Sequence, residues 1–246
     1  MAAWTAARMG LRTLLVEEHP RVGEPVHCAG KLSVHAFREF GLPPELARTA
    51  LRAATIYAPD GRSVHLRRSE PDSYVVDRDV FDRWVVDRAV EAGADLLVGA
   101  RAAAVVRERG LMLLEIERGG KRMAVRAPVV VDAEGARARL AVQAGLRPQR
   151  RFVRGIQYEL AGVDLVDAET AELYLGRRWA PGFFAWLMPL GERAARVGLC
   201  VDPASPRPPA AYLEDLLRNH PALACPVSEG CVHFMGLAPD HDLSSP

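Results

Sequence analysis

LRTLLVEEHPRVGEPVHCAG, residues Leu11–Gly30, decides how the rest of the chain is read. Its apolar run Thr13–Val16 has strand length and stops on two carboxylates, Glu17 and Glu18. Ahead of it, Met1–Met9 is alanine-rich and is closed by Gly10, which predicts a short helix that starts without a capping residue and reads as the second half of a longer one. Helix, glycine, strand and terminal acid follow one another as in a dinucleotide-binding βαβ unit. In such a unit an acid at the tip of the second strand accepts hydrogen bonds from an adenosine ribose. Past the acids, Pro20, Gly23 and Pro25 carry a loop to His27-Cys28-Ala29-Gly30.

Outward from this stretch the period of the apolar residues changes several times. Val34–Phe40 and Pro44–Leu51 predict two short helices separated by Gly41-Leu42-Pro43. Ala54–Ala58 and Ser63–Leu66 flank Pro59-Asp60-Gly61 and predict a hairpin. Tyr74–Val76 reads as a strand leading into a helix capped by Asp77 or Asp79. That helix carries its apolar face on Val80, Phe81, Trp84, Val85, Arg88, Ala89 and Val90 and ends at Gly93. Strands are then predicted at Asp95–Val98, Ala102–Arg107, Leu111–Glu117, Met123–Arg126 and Val129–Asp132. The last is apolar on both faces, suits a buried parallel strand, and leads through Ala133-Glu134-Gly135 to a helix near Arg137–Ala144. Gly155–Leu160, Thr170–Leu175, Phe183–Met188 and Arg196–Val201 predict an antiparallel sheet. Pro203–Pro209 links that sheet to a helix over Ala210–Arg218, and a polar tail follows from Gly236.

Composition removes several classes of function. The 32 basic and 31 acidic side chains leave a net charge of +1, so no overall field recruits nucleic acid. No apolar run approaches the roughly 20 residues of a membrane-spanning helix, and a cytoplasmic location is the default. Cys28, Cys200, Cys225 and Cys231 form no CxxC pair or zinc-type spacing; they are expected as reduced thiols, without a metal.

Four pieces carry a family resemblance: LLVEEHPRVGEPVHCAG, YVVDRDVFDRWVVDRAVEAGA, VVVDAEGARARLAVQAGL and PGFFAWLMPLGERAARVGLC. Together they resemble the FAD-dependent geranylgeranyl reductases, a branch of the para-hydroxybenzoate-hydroxylase-like flavoproteins. The fourth piece is the most specific, because the family carries P-x-x-Y-x-W-x-F-P followed by G-x-G. Here the positions are Pro181, Phe184, Trp186, Met188 and Pro189, then Gly198 and Cys200. Phenylalanine replaces tyrosine, methionine replaces phenylalanine and cysteine replaces the last glycine, which keeps an apolar wall and loses a phenol.

The resemblance implies an α/β fold in which an incomplete FAD-binding Rossmann-like domain is interleaved with an antiparallel substrate domain. The FAD-binding parts are expected over 1–50 and 74–147. The substrate domain is expected over 51–73 and 148–235, with 236–246 as a tail. It further implies that Glu17 binds the adenosine ribose, that Cys28 and Ala29 lie at the isoalloxazine, that Arg78 lies near the diphosphate, and that the backbone of Ala102 touches the adenine. Phe184, Trp186, Met188 and Pro189 are the implied substrate wall. Lys31 stands where the family usually has glycine. The family's glycine-rich turn would precede Met1 and its late Gly-Asp segment would follow Pro246, so the chain is expected to be a fragment that binds FAD weakly or not at all.

The implied reaction is reduction of isoprenoid C=C bonds. Reduced FAD delivers hydride to one alkene carbon, and Cys28 is the candidate proton donor to the other. The implied partners are an apolar isoprenoid or lipid substrate, an electron donor such as NAD(P)H or a ferredoxin-like protein, and peripheral membrane contact. A flavin monooxygenase or halogenase shares the fold, and an inactive fragment or protein-contact module is a third reading. Each residue also has a plainer role. Glu17 reads alternatively as a solvated strand-end acid, Cys28 as a small hydrophobe, and Arg78 as an ion-pair partner of Asp77, Asp79 or Asp82. Phe184 and Trp186 read as sheet core, and Asp132 and Glu134 as caps of the next helix rather than catalysts.

Overall fold

The computed structural model describes residues 1–135, 138–147 and 152–220 with side chains, and the backbone of Phe234–Leu237. The chain divides into two compact units, one of residues 1–24 and 79–151 and the other of residues 25–78 and 152–246. Residues 25–50 and 74–78, expected with the FAD-binding parts, therefore pack with the second unit. Cys225, Cys231 and most of the polar tail lie outside the described residues.

In the first unit, α1 (Ala2–Arg8) precedes β1 (Leu14–Glu17), which pairs in parallel with β7 (Asp95–Val98) so that Glu17 stands opposite Val98. The long helix α3 (Arg78–Glu91) has the expected span, but its buried face is narrower than the apolar spacing indicates. Only Val85 and Ala89 are buried, while Val80 and Val90 are exposed. Ala7, Ala89 and Ala94 form the contact between the helices, with Trp4 beside them, because small side chains let the backbones approach. The strands β8 (Ala100–Glu108), β9 (Leu111–Arg118) and β10 (Lys121–Ala127) form an antiparallel meander. Its turns are Arg109-Gly110 and Gly119-Gly120, all with positive φ, as two-residue hairpins require. The predicted strand Val129–Asp132 does not form: Val129 and Val131 are 73% and 69% exposed, and no strand pairs with it among the described residues. An all-apolar run becomes a buried strand only when neighbours satisfy its ladder. The helix after it, α4, spans Arg139–Gln143.

In the second unit, β2 (Lys31–Ser33), β3 (Ala47–Leu51) and β6 (Ser73–Val76) make a three-stranded antiparallel sheet, with α2 (Val34–Glu39) capped by the Ser33 hydroxyl. The predicted helix over Pro44–Leu51 is thus corrected to a single 3₁₀ turn, Pro44–Leu46, followed by a strand. Pairing with β6 and burial of Leu51 to 2% exposure outweigh the local helical preference of this stretch. A seven-stranded sheet follows the order β15-β11-β14-β13-β12-β4-β5. Its members are β4 (Ala53–Tyr57), β5 (Ser63–Arg67), β11 (Arg154–Ala161), β12 (Thr170–Leu175), β13 (Phe184–Pro189), β14 (Ala194–Val201) and β15 (Phe234–Leu237). The expected hairpin is β4–β5, and among the described residues of this sheet only the β12–β4 pairing is parallel.

Period-two alternation gives this sheet two different faces. Ala185, Leu187, Val197 and Leu199 point to one side, where α5 (Pro209–Asn219) covers them with Tyr212, Leu213 and Leu216. Leu213 and Leu216 are almost fully buried, each contributing about 1.5–3 kcal/mol. Trp186, Met188 and Ala194 point to the other side and pack with Leu51, Val75, Leu190 and Ala29.

Candidate functional site

Within the first unit, Glu17 ends β1, with its side chain 31% exposed. One carboxylate oxygen, Oε1, accepts from the His19 backbone N–H at 2.8 Å and pairs with His19 Nδ1 at 2.7 Å. Both contacts fall on Oε1. The Gly99 N–H donates to the His19 carbonyl at 2.9 Å, tying this turn to the start of β8. Ala102 lies on β8 opposite Ile116, at a bulge where Gln143 of α4 accepts from the Val105 N–H at 3.1 Å. Glu18 is exposed, as a surface acid should be. Glu134 accepts from the N–H groups of Leu140 and Ala141 at 2.5 and 3.3 Å and so caps α4, in keeping with a structural role.

Within the second unit, Cys28 is exposed, and its Sγ accepts from the Gly30 N–H at 3.4 Å. Gly30 has φ +77°, and a Cβ there would meet the Val76 carbonyl oxygen at 2.2 Å, so only glycine lets the loop lie this close to β6. The loop is fastened by two side chains of the seven-stranded sheet. Gln157 Nε2 donates to the Cys28 carbonyl at 3.4 Å, and Arg196 Nη1 donates to the Ala29 carbonyl at 2.7 Å. Arg196 is 1% exposed. Its remaining donors reach the Val76 carbonyl at 3.2 Å, Asp77 Oδ1 at 3.1 Å, and Glu159 at 2.9 Å through Nε and again through Nη2. Arg48 grips the other side of Asp77 with Nη1, at 3.2 and 3.0 Å, and donates from Nε to the Leu190 carbonyl at 3.3 Å. Asp77 thus sits between two guanidinium groups, immediately before Arg78 at the start of α3. Lys31 reaches Asp72 at 3.8 Å.

The expected wall residues meet this loop in the same unit. Register puts Gln157, Gly198 and Trp186 in one row across β11, β14 and β13, and Trp186 Nε1 donates to Gln157 Oε1 at 3.2 Å. Gly198 is the bare position under the indole, since a Cβ there would lie 2.6 Å from Trp186 Cζ2. Phe184 stands edge-on to Trp186 at 6.1 Å and stacks on exposed Phe183 at 4.4 Å. Met188 and Pro189 are buried, and Met188 packs into the cluster of Leu51 and Val75. Cys200 faces Gly155 on β11, and burial pushes its thiol up to about 11, a neutral group at ordinary pH.

Residues 1–150 match the family of FAD dependent oxidoreductases. The chain belongs to that family. Residues 152–231 match its geranylgeranyl reductase catalytic domain, so this flavoprotein family accounts for both the α/β part and the large sheet. Two similar relatives are the digeranylgeranylglycerophospholipid reductase of Methanocaldococcus jannaschii and digeranylgeranylglycerophospholipid reductase 2 of Methanothermobacter thermautotrophicus. The first is 32% identical over 89% of this chain and 56% of that protein, the second 35% identical over 96% and 63%. A geranylgeranyl bacteriochlorophyll reductase-like structure from Thermoplasma acidophilum superposes with a TM-score of 0.84 at 29% identity, covering 95% of this chain and 62% of that one. A flavin-dependent brominase superposes with a TM-score of 0.71 at 16% identity, a likeness of fold alone. The chain spans about 56–63% of the length of these curated relatives.

Within the first unit, Glu17 is a carboxylate at a parallel strand tip, a chemistry that suits ribose hydroxyls; within the second, Arg78 is a cation at a helix start, a chemistry that suits phosphate. The sequence reading passed over Gln157, Glu159, Arg196, Arg48 and His19. The signal for the first three is a polar or charged residue inside an otherwise apolar alternating strand, where an unpartnered group would be costly.

Proposed function

We propose that this protein reduces C=C bonds in the geranylgeranyl-type chains of a glycerophospholipid, with FAD as the redox cofactor. The observation that carries this reading is that the Cys28–Ala29 loop is bonded to the sheet face presenting Trp186 and Phe184. FAD, when bound, supplies the two electrons as hydride. In the first unit Glu17 holds the ribose and the backbone of Ala102 meets the adenine. In the second, Arg78 answers the diphosphate and Cys28 and Ala29 face the ring. An unactivated alkene has no polar handle, so Phe184, Trp186, Met188 and Pro189 orient it by shape and exclude water. Cys28 Sγ holds the proton that the second alkene carbon needs. Because its substrate tails come from a bilayer, the enzyme works at a membrane surface.

Cys28→Ala should slow alkene reduction about 100-fold, as loss of a positioned proton donor does, and leave FAD affinity unaltered. Equal turnover by Cys28→Ala removes the thiol from the reaction. Oxygen consumption coupled to an aromatic substrate, with no prenyl reduction, would replace the reductase reading by a monooxygenase one.

A further inference from the structure

Arg196 stands opposite Met188 in the β13–β14 pairing and Gln157 is bonded to the Trp186 indole, and together the two side chains hold the carbonyls of Cys28 and Ala29. We propose that these two are positioning residues: Arg196 and Gln157 fix the Cys28–Gly30 loop against the sheet and so set where the Cys28 thiol sits relative to the substrate wall. The inference rests on the proposal that this loop faces the reacting alkene.

Three features separate this arrangement from ordinary packing. Arg196 is a fully buried cation whose donors all go to identified acceptors, two carbonyls and two carboxylates. Its contacts join the loop at Ala29, the corner before Arg78 at Val76 and Asp77, and the sheet at Glu159. A planar guanidinium fixes such partners in direction as well as distance, which an ammonium cannot do. Gln157 is buried, and each end of its amide is committed, Oε1 to the Trp186 indole and Nε2 to the Cys28 carbonyl. The loop therefore shares hydrogen bonds with the aromatic wall through one side chain. Gly30 completes the constraint, because its N–H meets Cys28 Sγ and its carbonyl accepts from the Val76 N–H at 2.9 Å.

Two variants test the proposal. Arg196→Lys keeps the buried charge and loses the fork, whereas Gln157→Glu keeps the acceptor for Trp186 and loses the donor to Cys28. Alkylation of Cys28 by iodoacetamide, located by peptide mapping, reads the loop without any turnover, and the half-buried Cys200 reports, by its own alkylation rate, whether the sheet is intact. With the Cys200 rate unchanged, each variant should change the Cys28 rate about fivefold, the factor of one lost hydrogen bond. In turnover, kcat should fall about 10- to 100-fold while KM for the lipid stays constant, because the thiol is displaced and the wall is not. For Gln157→Glu both effects should fade relative to wild type as pH falls, since a protonated carboxyl donates to the Cys28 carbonyl again.

Unchanged Cys28 alkylation in a variant whose Cys200 rate is also unchanged overturns the proposal. If Arg196→Lys speeds Cys200 alkylation, Gln157→Glu alone decides by the same criterion. A shifted alkylation rate together with a wild-type enzyme that reduces no prenyl lipid upholds the positioning role and refutes the proposed activity instead.

Discussion

Gly198→Ala is the substitution that most directly tests how the Trp186 wall is built. A Cβ at this position would lie 2.6 and 2.8 Å from Cζ2 and Cε2 of the indole and 2.8 Å from the Ile156 carbonyl oxygen of the neighbouring strand. The carbonyl belongs to the β11–β14 ladder and cannot retreat without opening it, so the indole must move. Moving it breaks the 3.2 Å bond from Trp186 Nε1 to buried Gln157. Overpacking costs about 1–3 kcal/mol and the unsatisfied amide about 1–3 kcal/mol more, which gives a loss of about 2–6 kcal/mol. Urea denaturation followed by tryptophan fluorescence should show the midpoint falling at constant slope, with native emission shifted to the red. In a Trp186→Phe background the same substitution should cost less, because the benzo ring of the indole is absent, although the contact with Ile156 remains. A Gly198→Ala protein within about 0.5 kcal/mol of wild type would refute this account of the wall.

Gly155→Ala brings a Cβ to 2.8 Å from Cys200 Sγ and should cost about 1–3 kcal/mol; adding Cys200→Gly should recover most of it, and strictly additive denaturation energies would show that the pair does not share space. On the opposite face, Glu172 accepts from the Tyr174 hydroxyl and pairs with His220 at 3.0 Å. Burial pushes its carboxyl up, but the hydrogen bonds and the charge of His220 outweigh it and hold the group below its ordinary 4.5. A depressed folded value stabilises above the unfolded one, so this contribution is complete above about pH 4.5 and is lost as pH falls through the folded value. Denaturant midpoints should therefore decline below pH 4.5, and Glu172→Gln should flatten that decline; parallel curves would contradict the assignment.

The parts of the fold that could be read from sequence are those set by local chemistry. Thr13–Val16 ending in Glu17, the hairpin around Pro59-Asp60-Gly61 and the strands of the large sheet follow from alternation and turn residues, which act within a few positions. Ala47–Leu51 and Val129–Asp132 were misread for one reason in two directions. The first becomes a strand because β6 is there to pair with it, and the second stays unpaired although its composition is that of a strand. Pairing is not local, and propensity yields to it. The site divides in the same way. Glu17, Cys28 and Trp186 lie in segments whose pattern marks them, whereas Arg196 meets Glu159, Asp77, Val76 and Ala29 across separations of 37, 119, 120 and 167 residues. No window of sequence contains that arrangement.

The charge content of this cluster bears on why it exists. Arg48 and Arg196 face Asp77 and Glu159, two cations and two anions, so the group is neutral as a whole and fully paired. Only Arg196 of this network is buried, and a buried cation adds little net stability compared with apolar side chains of the same volume, because its desolvation cancels most of the attraction. Apolar side chains would, however, leave the Ala29 and Val76 carbonyls unpaired and would let the loop and the corner before Arg78 take up other positions. Guanidinium and carboxylate groups bond in fixed directions, and the bonds of Arg196 to Ala29, Val76 and Asp77 hold segments that carry or adjoin a proposed cofactor residue. The cluster is therefore better explained by the geometry it imposes on Cys28 and Ala29 than by any stability it adds.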